Sequence, residues 1–141
     1  QLATYLQAVI ASAKQTGFAQ TLFGRRRYFP LMNSSMPQMR AMAERMAINA
    51  PIQGTQADII KISMVAIDKA LSKNNLADHA KMLLQVHDEL IFEVDEKFTD
   101  KIHDIVVRVM ENCIPVEFTS GRKTVPISVG TALAKDWGSM K

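Results

Sequence analysis

Three groups of residues in this 141-residue sequence could do chemistry. The first is His87-Asp88-Glu89, set between two apolar runs in the stretch MLLQVHDELIFEV, Met82–Val94. Apolar runs of this length, rich in Val, Ile and Phe, read as strands, and a tight polar turn between them makes a β-hairpin. Such a hairpin holds Asp88 and Glu89 at its tip on an apolar frame. Neighbouring carboxylates on a stiff support can bind a hard divalent cation through oxygen. Asp and Glu are also ordinary turn residues, so on residue type alone a solvated tip stays open as the alternative. The sequence carries its own control: His103-Asp104 repeats the dipeptide on an expected helix surface where nothing else suggests a site.

The second group is Arg25-Arg26-Arg27. Residues 1–45 hold six basic residues against one acidic, a net of +5, while the rest holds eleven against thirteen, a net of −2. A basic first third suggests a polyanionic partner, and arginine suits phosphate. A solvated basic turn is the alternative. The third group is Arg45, Asn49 and Gln53, spaced by four. Arg45 and Asn49 share a helix face. Arginine can donate to phosphate or a base edge, and Asn and Gln both donate and accept. Polar residues near a helix end also satisfy backbone groups, so this trio alone is a weak signal.

These residues need elements to hold them. Leu2, Leu6, Val9, Ile10 and Ala13 recur at helical spacing, with Gly17 as a stop. Phe18–Pro30 reads as a hairpin with Gly24 in its turn, and the three arginines alternate sides if Arg26–Phe29 is a strand. Leu31–Pro37 is a loop, and Ser35 caps a helix running to about Asn49. Met36, Met39, Met42 and Met46 recur on that helix as a flexible core stripe. Pro51 and Gly54 interrupt the pattern, so a helix–break–helix junction is predicted, the second helix starting near Thr55 with Asp58 as its capping partner. Ile60, Met64, Ile67 and Leu71 give that helix its stripe, and Asn74-Asn75 ends it. Leu84, Val86, Ile91 and Phe92 are expected to back the central hairpin. Lys97–Cys113 is the clearest amphipathic helix, with Cys113 on its apolar face. Val116–Arg122 reads as a loop, Val125–Val129 as a strand despite Pro126, and Trp137 as a packing anchor for the tail.

Composition bounds the rest. With 48% hydrophobic and 22% charged residues the chain is globular and long enough for a real core. Its one cysteine excludes an internal disulfide and fits a reducing compartment. No stretch has the apolar length of a membrane helix. The first residue is Gln1, so the chain is expected to be cut from something longer. There are no internal repeats, no Gly-rich phosphate loop and no Cys/His zinc spacing.

Taken together, Thr21–Tyr28 (TLFGRRRY), Ala43–Thr55 (AERMAINAPIQGT), Ala57–Lys61 (ADIIK), Leu84–Leu90 (LQVHDEL) and the terminal Val125-Pro126, Gly130 and Trp137 resemble the family A DNA polymerases, of the bacterial DNA polymerase I type. The resemblance covers essentially the whole chain. It implies an α+β fold: one region, residues 1–141, forming the C-terminal part of a polymerase palm, with antiparallel β-hairpins packed against helices and with residues 1–30 leading from the fingers. It implies that Asp88 is one of two carboxylates holding a catalytic Mg²⁺ pair, that Glu89 is the neighbouring, less central carboxylate, and that His87 lies near the primer terminus. It implies that Arg45, Asn49 and Gln53 meet the primer–template, partly through the minor groove, whose acceptor pattern is nearly degenerate. Arg25, Arg26 and Arg27 match a basic hairpin near the duplex. The implied partners are primer–template DNA, dNTP in the full enzyme, and the missing earlier palm, fingers and thumb. The implied setting is the cytoplasm, at the nucleoid, in replication and repair. The family's other metal-binding aspartate and its nucleotide-binding fingers helix are not found in this sequence, so the chain alone is expected to be inactive. Two other readings stay open: a stand-alone duplex-binding module without catalysis, and a structural interaction domain.

Overall fold

The structure, a computed structural model, describes residues 1–115, 118 and 126–140. Among these, three helices and two small antiparallel sheets form an α+β chain. It divides into two compact units, residues 1–61 and 62–141, each with its own core.

In the first unit, helix α1 (Leu2–Thr16) ends where expected. Gly17 adopts φ 80° and its N–H closes on Ala13 O at 2.9 Å. That left-handed conformation suits glycine, which has no Cβ to clash. Strands β1 (Phe18–Gln20) and β2 (Arg26–Tyr28) pair antiparallel, Phe18 opposite Tyr28 and Gln20 opposite Arg26. Gly24, at φ 83°, makes the turn, with Thr21 N donating to Arg25 O. The core gathers Ala13, Ala19, Phe29 and Met32 against Ala43, Ala47 and Ala50. Small residues on the helix let the hairpin come close.

Helix α2 (Pro37–Lys73) overturns the expected break at residues 50–54: it runs unbroken with Pro51 inside. Pro51 lacks an N–H, so one rung of the helix ladder is missing. The segment is held from outside instead. Thr55 is no cap but a mid-helix residue, its hydroxyl donating to Pro51 O at 2.5 Å and accepting from Leu22 N at 2.9 Å. The methionine stripe is corrected too. Met36, Met39 and Met42 are exposed, and only Met46 packs against the core, because the alanines take the inner face. Near the helix start, the hydroxyl that accepts a nearby N–H belongs to Ser34, from Met36 N, rather than to Ser35.

In the second unit α2 ends in a paired cap. Leu76 N bonds Leu71 O, Asn75 N bonds Ser72 O, and Asn75 takes φ 54°. Leu71 and Leu76 are both buried and enter the core with Ile67, Ala80, Ile102 and Ile105. Strands β3 (Ala80–Val86) and β4 (Glu89–Val94) form the central hairpin, with an irregularity in register between Met82 and Leu84. That irregularity changes which residues back it. Met82, Leu90, Phe92 and Val94 pack on the core, while Leu84 is 47% exposed and Ile91 lies opposite it. Helix α3 (Thr99–Glu111) carries the expected apolar face but starts later than Lys97, after a short 3-10 turn at Glu96–Phe98. Cys113 is buried, two residues past its end.

The predicted loop at Val116–Arg122 lies outside the described residues apart from Phe118, as does Val125. The described part of the predicted strand, residues 126–129, pairs with no strand among the described residues. Pro126 has no N–H to offer, and Val129 N turns to Glu111 Oε1. Trp137 is no packing anchor: it is half exposed in a one-turn 3-10 helix whose backbone is satisfied locally by Asp136.

Candidate functional site

His87 and Asp88 form the two-residue turn of hairpin β3–β4. His87 has φ 52°, an uncommon conformation for a residue with a Cβ, and Gln85 Nε2 supports it by donating to His87 O at 2.8 Å. Glu89 opens β4 opposite Val86. His87, Asp88 and Glu89 are all exposed, and among the described residues none of their side chains has an ion pair or hydrogen bond. The base of the same hairpin is fastened. His79 Nδ1 lies 2.7 Å from Asp95 Oδ2, Asp95 N donates to His79 O, and the His79 ring stacks on Phe98 at 4.1 Å. The hairpin thus has a fastened base and an exposed acidic tip. Among the described residues no three His, Cys, Asp or Glu side chains gather as a metal cluster. The donor set at the tip is two oxygen ligands, which suits part of a hard-cation site and not a whole one.

In the first unit, continuity of α2 makes Arg45, Asn49 and Gln53 a single row at i, i+4 and i+8. All three are exposed, and among the described residues their side chains are unpaired. Another side of this stretch meets the hairpin turn. Arg25 Nε donates to Asp58 Oδ1 at 2.7 Å and Nη2 to Gly54 O at 2.9 Å, while Arg25 N donates to Thr21 Oγ1. A Cβ at Gly54 would lie 2.6 Å from Thr21 Cγ2, so glycine is what allows this approach. Burial opposes ionisation of Asp58, but the Thr21 hydroxyl, Arg25 and Lys61 outweigh it and hold the carboxyl below its ordinary range. Asp58 Oδ2 is buried without a hydrogen bond of good geometry, so the influence of Thr21 is better read as a favourable dipole than as a full bond.

Sequence reading placed Asp58 in a capping box with Thr55, but it lies inside α2 and pairs with Arg25 instead. Its partner is 33 residues away, and no local spacing reports such a pair. Arg26 and Arg27 stay exposed and lie over aromatic rings, Arg26 over Phe18 at 4.4 Å and Arg27 over Phe29 at 5.8 Å. With Gln53 they line a shallow cleft between the hairpin and α2.

The sequence pattern that defines DNA polymerase family A matches residues 1–139. The chain belongs to DNA polymerase family A. Within the family it is 44% identical over 133 residues to DNA polymerase I of Rhizobium leguminosarum, covering 94% of this chain and 13% of that protein. It is 37% identical over 137 residues to the thermostable DNA polymerase I of Thermus thermophilus, covering 97% of this chain and 15% of that protein. Among solved structures it is similar to the POL domain of Pol1 from M. smegmatis, in complex with DNA primer-template and dNTP. There the TM-score is 0.87 at 40% identity, over 98% of this chain and 23% of that one. The chain thus spans about one seventh of its curated family relatives. No helix among the described residues is long and apolar enough to cross a membrane.

Proposed function

We propose that this chain is the part of a template-directed DNA polymerase that carries one metal-binding carboxylate and a duplex-facing helix. The enzyme of which it is part would add dNTPs to a primer 3′ end in replication and repair at the nucleoid. The observation that carries this reading is the tip of hairpin β3–β4, with Asp88 and Glu89 exposed and unpaired on a frame whose base is pinned. A binding surface has no need of bare carboxylates facing a polyanion, since they repel it. Asp88 would hold Mg²⁺, with Glu89 beside it. Mg²⁺ bound there supplies activation of the primer hydroxyl and relief of the charge that develops at phosphorus. The remaining ligands come from outside these 141 residues, and the chain alone does not extend a primer.

The other residues position nucleic acid. Arg45, Asn49 and Gln53 present one donor-rich row to the primer–template, suited to testing pair geometry in the minor groove without reading sequence. His87 lies at the tip next to Asp88 and meets the primer end. Arg26 and Arg27, braced on aromatic rings, meet backbone phosphates.

The test is primer extension with Mg²⁺ and dNTPs, on this chain alone and with a separately made segment supplying the earlier palm and fingers. Extension in the mixture only, lost with Asp88→Ala, is expected. Extension by the chain alone would overturn the assignment of missing ligands. Salt-sensitive duplex binding indifferent to Asp88, with no extension in either case, would favour a binding module instead.

A further inference from the structure

We propose that Arg25 is a positioning residue: it does not meet nucleic acid but locks the hairpin turn onto helix α2, keeping Arg45, Asn49 and Gln53 in one row. The proposal rests on the reading that this row binds duplex.

Two residues hostile to helix, Pro51 and Gly54, flank Gln53. Left to itself, this stretch would break, and a break between Asn49 and Gln53 would rotate Gln53 away from the other two. The structure shows what prevents it. Arg25 reaches across 29 residues to Gly54 O and across 33 to Asp58, both on the side of α2 turned toward the hairpin, beside the cleft that Gln53 also lines. The Thr55 hydroxyl ties Pro51 O to Leu22 N of the same turn. Gly54 offers no side chain, and Thr21 fills the space. The glycine that weakens the helix is therefore also what lets the lock seat. Arg25 spends its Nε and one terminal nitrogen on this contact, whereas among the described residues the side chains of Arg26 and Arg27 donate no hydrogen bond and lie over aromatic rings. Three adjacent arginines thus divide into one that builds and two that remain for a ligand.

The test compares Arg25→Gln, Asp58→Asn, Arg26→Gln and Arg27→Gln in the 141-residue chain, by binding to a labelled primer–template duplex across a salt series and by amide hydrogen exchange without DNA. Arg25→Gln and Asp58→Asn should each speed exchange at Leu22 and over residues 53–58. Each should weaken duplex binding about tenfold, as follows if the competent row is populated about a tenth of the time. The salt slope should not change, because the competent fraction binds with its contacts intact. Arg26→Gln and Arg27→Gln should each lower that slope by about 0.9, as a lost phosphate contact does. Asp58→Asn is the sharpest arm: it removes a negative charge, so by charge alone it would bind a polyanion more tightly.

Tighter binding by Asp58→Asn, or a slope lowered by about 0.9 in Arg25→Gln with exchange unchanged, overturns the proposal. Should Arg25→Gln not fold, Gly54→Ala serves instead. It keeps every charge and adds helix propensity, yet should speed exchange at Leu22 and weaken binding at constant slope; unchanged exchange and binding overturn the lock. If the unaltered chain binds no duplex at low salt, the duplex reading fails, and exchange in Arg25→Gln still decides whether the lock exists.

Discussion

Hairpins β1–β2 and β3–β4 are both tight antiparallel pairs, yet their tips are treated in opposite ways. The turn at residues 21–25 is fastened by four hydrogen bonds that involve side chains, to α2 or within itself, and its leading arginine is spent on Asp58 and Gly54. The turn at His87-Asp88 has one supporting side-chain bond, from Gln85, and its carboxylates are bare. In the second hairpin the fastening has moved to the base, where His79, Asp95 and Phe98 meet. A polar turn is therefore not one kind of object. Where its charged groups face neutralising partners, it is architecture. Where they face solvent on a pinned frame, it is available for chemistry.

That contrast can be broken most forcefully at Asp88. Asp88→Ala should reduce primer extension in the reconstituted mixture by at least about a hundredfold, the scale on which a single group stabilising the transition state acts. Next comes Asp58→Ala, which leaves Arg25 facing a hole. Full burial of such a pair would make its loss worth 3–5 kcal/mol or so, and because Arg25 is half exposed about 2 kcal/mol is expected in urea unfolding. The same group sets an acid limb. The carboxyl of Asp58 is depressed in the folded state, so its contribution is complete above the unfolded value near 3.8 and is lost as pH falls through the folded one. Asp58→Asn should flatten that limb, seen by comparing urea midpoints at pH 5 and below pH 3.

Gly54→Ala should destabilise by about 1 kcal/mol in the same assay, the gain in helix propensity being outweighed by the clash with Thr21. The smallest effect returns to the free tip. Asp88→Ala should change the unfolding free energy by less than about 0.5 kcal/mol, as exposed positions without partners do. A loss of 2 kcal/mol there would mean that the second tip is architecture as well.

What the sequence made legible follows from range. Gly17 and Asn75 end helices through local backbone geometry, and each was visible as a stop. The apolar face of α3 and the turn at His87-Asp88 rest on neighbours within a few residues. Pro51 misled for the opposite reason: the bonds that keep α2 intact come from Leu22 and Arg25, about 30 residues away. The methionines misled because periodicity identifies a face and not which way it points. Ala43, Ala47 and Ala50 took the inside, where close approach mattered more than bulk. Of the site, the exposed carboxylates and the Arg45–Asn49–Gln53 spacing were legible. The alignment of those three in one row was not, since it depends on the helix that the sequence pattern broke at Pro51.

The irregularity between Met82 and Leu84 has a material consequence. It turns Leu83 and Leu84 outward, 53% and 47% exposed, on a sheet of only two strands. Each strand then offers an outer row of backbone donors and acceptors that no third strand covers among the described residues. Open strand edges beside apolar side chains are templates on which further chains can add. Dilution and low temperature during handling favour the separate chain, and a short peptide with the right alternation of side chains could occupy that edge and keep the protein in solution.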